Sequence, residues 1–212
     1  EAADVYVTFF HEATNNTDIL GFYYYPLNNP PASIADIDSI TVIFPNASLP
    51  GSGGVLHSGE KVHLGYFPEN TEIVWVLLSN GWKNKNVTNG DYQFFSHSTF
   101  NPEQDYSVKQ HNILLHDEAR DRIIMGFEDE NRDENSDDDF NDVLFFVTSN
   151  PTAAVIHNNV ADLDYIGNDL DNDAVPDHVD MYPEDPDKAF FNYYPSELSW
   201  GTLAFEDLWP IK

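Results

Sequence analysis

The chain has no cysteine, which excludes a disulfide framework, thiolate metal sites and a cysteine nucleophile. Positive charge is almost as scarce: nine Lys and Arg stand against 37 Asp and Glu, a formal net charge of −28. Nucleic-acid binders need a basic surface that releases counterions, and an anionic bilayer attracts the same kind of surface. Nine scattered basic residues supply neither, so nucleic acid and anionic membranes are excluded as partners. No apolar run approaches the roughly 18 residues that cross a bilayer, and membrane insertion is not expected. Enzyme signatures are missing as well: there is no His-Glu-x-x-His, no Gly-x-Ser-x-Gly and no phosphate-cradling glycine loop. His97, His111 and His116 are therefore read as structural or surface histidines. Chance alone brings carboxylates to glycosidase-like separations when 37 are present, so such pairs decide nothing. The expectation is a protein that is not an enzyme.

Strong acidity often means disorder, but 41% hydrophobic and 14% aromatic residues are enough to build a core. The first 150 residues read as short strands rich in β-branched and aromatic side chains: 4–10, 21–25, 39–44, 61–67, 73–78, 111–116, 122–127 and 143–147. Turn chemistry separates them, at Asn28-Asn29-Pro30-Pro31, Pro50-Gly51-Ser52-Gly53-Gly54, Asn80-Gly81 and Asn89-Gly90. No long amphipathic helix is legible. The spacing predicts an all-β fold, an antiparallel β-sandwich or jelly roll, with Val5, Val7, Phe9 and Trp75 in the core. After Asn150-Pro151 the alternation stops and Asp, Asn, Pro and aromatics dominate. A boundary is expected there, with an irregular, calcium-bound segment over 151–212 packed on the sandwich through its aromatics. Glu1 in place of an initiator methionine fits a processed or excised segment.

The acid is concentrated. Nine carboxylates lie between Glu128 and Asp142 with only Arg132 to offset them, and ten lie between Asp162 and Asp187 with no Lys or Arg. Like charges about 4 Å apart repel by about 1 kcal/mol in water and about 4 kcal/mol at an effective dielectric of 20, so compact folding of such segments needs a counter-charge. A divalent cation supplies it, and an all-oxygen set favours calcium over zinc or copper. In the tail, Asp169, Asp171, Asp173, Asp177 and Asp180 occupy positions 1, 3, 5, 9 and 12 of one loop, with the Val175 carbonyl at position 7. This is the spacing by which a single loop wraps oxygens around calcium, although Ala174 stands where glycine makes the sharp turn and Asp180 where glutamate binds with both oxygens. A second calcium site is expected from Asp137, Asp139 and Asn141, which recur at every other residue, completed by Glu128, Asp129 and Asp142. Glu206 and Asp207 repeat the Phe-Glu-Asp element in isolation and are left unassigned.

These residues, together with Asn80-Gly81-Trp82, Asn101-Pro102-Glu103, Gln110-His111 and the run Gly201 to Pro210, resemble the LruC-domain family of bacterial exported and surface proteins. The resemblance extends from about residue 35 to the C-terminus. The Asp-rich loop alone is similar to a thrombospondin type 3 calcium repeat. The family resemblance implies calcium binding and an extracellular or cell-surface location, and it implies no settled activity. The leading expectation is an extracellular recognition or adhesion module, with a glycan or peptide ligand that Trp82 could stack on or anchor. A second is a self-assembling subunit of a filament or matrix, in which the strand 4–10 completes the sheet of a neighbouring copy. A third, weaker one is a calcium-dependent hydrolase, which requires a cleft with convergent polar groups.

Overall fold

The computed structural model describes residues 1–117, 120, 122–134, 136–156, 160–162, 170, 171, 177 and 181–188. The chain divides into two units, Glu1–Asp164 and Tyr165–Lys212. The strand unit thus continues past the change of composition at Asn150-Pro151.

In the first unit the apolar runs pair into two main sheets. The larger has the order β12 (Ala161–Asp162), β9 (Asn112–Asp117), β10 (Arg122–Phe127), β11 (Val143–Asn150), β1 (Ala3–His11), β4 (Lys61–Phe67). The smaller has the order β3 (Thr41–Phe44), β2 (Ile19–Pro26), β5 (Thr71–Ser79), β8 (Tyr92–Phe95), and a two-stranded ribbon joins β6 (Trp82–Lys83) to β7 (Asn86–Val87). Every pairing is antiparallel except β12 with β9. The all-β sandwich read from strand spacing is the observed fold.

Alternation decides which side chains meet between the sheets, because successive residues of a strand point to opposite faces. Val5, Val7 and Phe9 of β1 point inward with Met125, Phe127, Val143, Phe145 and Val147, and they pack against Leu20, Phe22, Trp75, Leu77 and Phe94 of the smaller sheet. A second cluster, with Ile19, Tyr23, Tyr25, Val74, Val76, Leu78 and Phe95, lies on the other face of the smaller sheet and is covered by Ile37, Ile40, Trp82 and Phe100. Burial on both faces explains why 73–78 reads as an unbroken apolar run.

Two expectations change. The strand at 4–10 is not a free edge: β1 is hydrogen-bonded to β11 on one side and β4 on the other, so it has no open ladder to offer a neighbour. The edge beside it is β4, where a register shift at Gly65 (φ +131°) and the exposed Lys61 interrupt a flat edge, as protected edges do. In addition, β8 emerges from a stretch the pattern did not mark as a strand, since four residues carry too little alternation to stand out between two turns.

Candidate metal centre

Strands β10 and β11 are paired to their ends, Phe127 opposite Val143, and the acidic connection 128–142 forms the mouth between them. Glu128 still follows the ladder, donating its N–H to His111 O at 2.9 Å, and its side chain is buried. One carboxylate oxygen each from Glu128, Asp137 and Asp139 lie within 4.8 Å of one another, with Glu128 at the buried floor and the two aspartates exposed at the rim. The fit to a hard cation is good on donor chemistry, all carboxylate oxygen. Among the described ion pairs none involves these three groups. Arg132, the lone cation of the segment, points elsewhere: its Nε donates to Asp138 Oδ1 at 2.6 Å and its Nη1 to Gln110 O at 2.7 Å, and its guanidinium stacks on Phe140 at 4.9 Å. It anchors the loop without neutralising the cage.

Asp138 and Phe140 adopt left-handed backbone conformations (φ +59° and +56°), which is unfavourable for an aromatic residue and is held by the surrounding contacts. Phe140 N–H donates to Glu128 Oε2 at 3.3 Å, and the Phe140 carbonyl passes so close to β10 that a Cβ on Gly126 would stand 2.3 Å from its oxygen. Gly126 is therefore required by close approach. Gly126→Ala is expected to push the loop off β10, lowering stability by about 1–3 kcal/mol as measured by urea unfolding. Wild-type stability in that variant would refute the packing argument.

The electrostatics follow from burial. Burial raises the Glu128 carboxyl above its ordinary range, and the charges of Asp137 and Asp129 add to the shift, against hydrogen bonds from Ser136 and the Phe140 N–H. Asp142 is pushed up to about 8, first by burial and then by the charge of Asp129, with Glu128 and Asp137 contributing further.

The six residues expected at one site are not all brought to one point. Asp129 follows Glu128 in sequence and turns the other way, toward the β1–β2 connection, where it accepts from Thr14 Oγ1 at 2.6 Å and from Asn16 Nδ2 at 3.1 Å. Asp142 accepts the Asp129 N–H through Oδ2 at 2.7 Å. With them lies Asp18, fully buried, whose Oδ1 accepts the Asn80 N–H at 2.6 Å. Burial, and after it the charge and contact of Asp129, hold Asp18 well above the usual carboxylate range. Asn141 donates its N–H to Asp139 Oδ1 at 3.1 Å and its amide to Oδ2, so it braces a cage residue. Asp18, Thr14 and Asn16 were missed in the sequence reading. The available signal is the oxygen-rich run Glu12 to Asp18 between two apolar strands.

His111 is one of the most buried side chains. It stacks on Phe94 at 3.7 Å, contacts Glu128 O through Nδ1 at 2.9 Å and Glu103 Oε1 through Nε2 at 2.8 Å, and burial lowers its pKa. This is the structural histidine expected, and it fixes the backbone of Glu128. Trp82 is half-buried against the second apolar cluster and tied by its backbone to Thr17, which leaves it partly packed rather than fully presented. Of the tail loop, Asp169, Asp173, Val175 and Asp180 lie outside the described residues, as do Glu206 and Asp207; the Leu170 N–H donates to Asp177 Oδ1 at 2.9 Å. Asp171 is half-buried.

Among known families, the pattern of a domain of unknown function (DUF4114) matches residues 67–150. Comparison with curated proteins and with solved structures gives no match. The matched stretch begins at the last residue of β4 and ends at the last of β11, so it takes in this chain's β10–β11 pair and acidic mouth, while Asp18 and the Asp-rich tail loop stand outside it.

Proposed function

We propose that the chain is a calcium-binding extracellular module, an LruC-like β-sandwich that serves recognition or adhesion at a bacterial surface. The observation that carries the reading is the carboxylate cage of Glu128, Asp137 and Asp139 at the end of the β10–β11 pair, with no protein cation paired to it among the described residues. Calcium takes six to eight oxygens, and three carboxylates at an exposed rim leave positions for solvent or for hydroxyl and carboxylate oxygens of a glycan or peptide ligand. Millimolar external calcium fills even weak sites, since extracellular modules bind at about 10⁻⁴ to 10⁻³ M. The resemblance of the Gly126 to Phe145 motif and the tail loop to surface proteins supports the location.

Other readings are less well supported. Assembly through β1 loses its motive because both edges of that strand are paired. A hydrolase needs convergent groups with a free base. A polar hollow of about 240 Å³ beside Asp129 is lined by Asp91, whose carboxylate is engaged by Lys83 at 2.6 Å and Asn80 at 2.8 Å.

Metal analysis of the purified chain after dialysis against calcium tests the binding, and glycan and peptide arrays probed with and without calcium test the recognition. Calcium in excess of the free concentration at dialysis equilibrium in about millimolar calcium, and array signals that vanish in chelator, are expected. A calcium-free protein, or array binding indifferent to chelator, would count against the proposal.

A further inference from the structure

We infer that the polar hollow at the end of the sandwich, between Ser79 and Tyr92 of the smaller sheet and Asp129, Glu130 and Glu134 of the acidic connection, binds the guanidinium of an arginine side chain presented by a partner polypeptide. This site is distinct from the carboxylate cage, and its ligand needs no calcium.

Ser79 is the last residue of β5 and pairs with Tyr92, the first of β8. Trp75 and Leu77 of β5 belong to the core between the sheets, so alternation turns Ser79 to the same side, one step beyond the last apolar residue. Ser79 is 3% exposed and lines the hollow, and among the described residues no group hydrogen-bonds its hydroxyl. Polar side chains buried to this degree ordinarily have a partner, so the unpaired hydroxyl points to a ligand. Asp129, 1% exposed, is a second buried polar group on the wall. Tyr92 packs its ring against Phe94 at 5.6 Å and donates its hydroxyl to Glu134 Oε1 at 3.5 Å, which joins the smaller sheet to the acidic connection across the hollow.

Four carboxylates line this space, those of Asp91, Asp129, Glu130 and Glu134. Lys83 neutralises Asp91 at 2.6 Å, while no described ion pair includes the other three. Arg132 of the same connection is committed to Asp138 and to Gln110 O. The hollow therefore carries uncompensated negative charge. Its carboxylates do not converge as those of the cage do, since among the described residues the one trio with oxygens within 4.8 Å of one another is Glu128, Asp137 and Asp139. Acceptors set apart around a cavity suit a flat cation whose donors fan outward. A guanidinium has five N–H donors and no acceptor, and it stacks on aromatic rings such as that of Tyr92. A sugar would bring acceptors to face the same carboxylates. At about 240 Å³ the hollow is smaller than the usual small-molecule site of about 300–1,000 Å³, and it fits the end of one side chain delivered from outside. Glu130 and Glu134 are exposed and draw a basic segment toward the opening.

The experiment is fluorescence polarisation of the full-length protein, in chelator, with a labelled peptide carrying one arginine among glycines and serines, and with the same peptide carrying citrulline, the uncharged isostere. Saturable binding of the arginine peptide, about tenfold or more tighter than of the citrulline peptide, is expected. Glu130→Gln with Glu134→Gln, both at exposed positions, should weaken it about tenfold, and Ser79→Ala severalfold. Asp137→Asn with Asp139→Asn removes the same amount of charge elsewhere on the chain and should leave the affinity unchanged. Free arginine, whose carboxylate the acidic rim repels, should compete less well than the peptide. Absence of saturable binding, or equal binding of the two peptides, overturns the inference. So do equal losses in the two double variants, which would mean that the net charge of −28 attracts the peptide without a site. Free arginine competing as well as the peptide overturns the assignment to a polypeptide side chain. Because chelator is present throughout, failure here leaves the calcium reading standing, and a chain that binds no calcium leaves this result untouched.

Discussion

Stripped of divalent cations, the protein will lose thermal stability as pH rises from about 5 to about 8, and calcium bound as proposed will offset that loss. The cause is the crowding of carboxyls behind the β10–β11 mouth. Asp142 is pushed up to about 8 from an ordinary 3.8, by burial first and then by Asp129, and Asp18 and Glu128 are displaced in the same direction. The folded state therefore retains protons that the unfolded chain has already released. For an acid raised in this way, the stabilisation is complete below the unfolded value near 3.8 and is lost as pH climbs toward the folded value near 8. Each unit between the two values corresponds to about 1.4 kcal/mol, and with the charges of one cluster sharing the effect the total is on the order of a few kcal/mol. At about 2–4 °C per kcal/mol for a chain of this size, the metal-free melt should fall by on the order of 10 °C. Calcium bound as proposed would neutralise carboxylates of this mouth without protons, so the loaded protein should melt higher at pH 8, by about 2.7 kcal/mol at one hundred times the dissociation constant. Scanning calorimetry at about pH 5, 6.5 and 8 in metal-stripped and calcium buffers reads both effects. Coincident melts with and without calcium at pH 8 would refute this account of the acidic mouth.

Phe145→Ala should be among the most damaging single substitutions, at about 3–5 kcal/mol. Phe145 is 0% exposed, lies opposite Phe9 and Met125 on the flanking strands, and meets Trp75 of the other sheet edge-on at 5.3 Å and Phe127 at 6.3 Å. Removing the ring opens a cavity between the sheets at a point three residues beyond Asp142. The neighbouring Phe146 is the control. It points to the opposite face, half-buried under the Arg122 guanidinium at 4.3 Å, and Phe146→Ala should cost about 1 kcal/mol or less. Urea unfolding of the pair with unchanged m-values measures the difference; equal losses would mean that the sandwich core is not organised by the alternation of β11.

Strand identity was legible wherever a run was long enough to show its pattern. Ranges 4–10, 61–67, 122–127 and 143–147 fall within observed strands, because β-branched and aromatic residues bounded by turn chemistry leave little else to form. The four-residue β8 and the ribbon at Trp82 were not legible, being too short to alternate. Pairing partners were beyond reach as well. The strand 4–10 looks the same in sequence whether it is an edge or lies between two neighbours, and its place between β11 and β4 follows from how the whole chain is threaded.

The amino-acid order alone determined that the fold is all-β, that the acid is gathered into two stretches, and that Arg132 is the single basic residue within them; composition and short-range spacing carry that information because each depends only on neighbours along the chain. The tertiary structure decided how the acid is divided. Glu128 continues the β10 ladder and falls in with Asp137 and Asp139, while Asp129 turns toward the β1–β2 connection, where strand pairing has delivered Asp18. Contact between groups so far apart in sequence is set by sheet register, so oxygen spacing within one loop could gather acid but could not say which distant side chains would meet it.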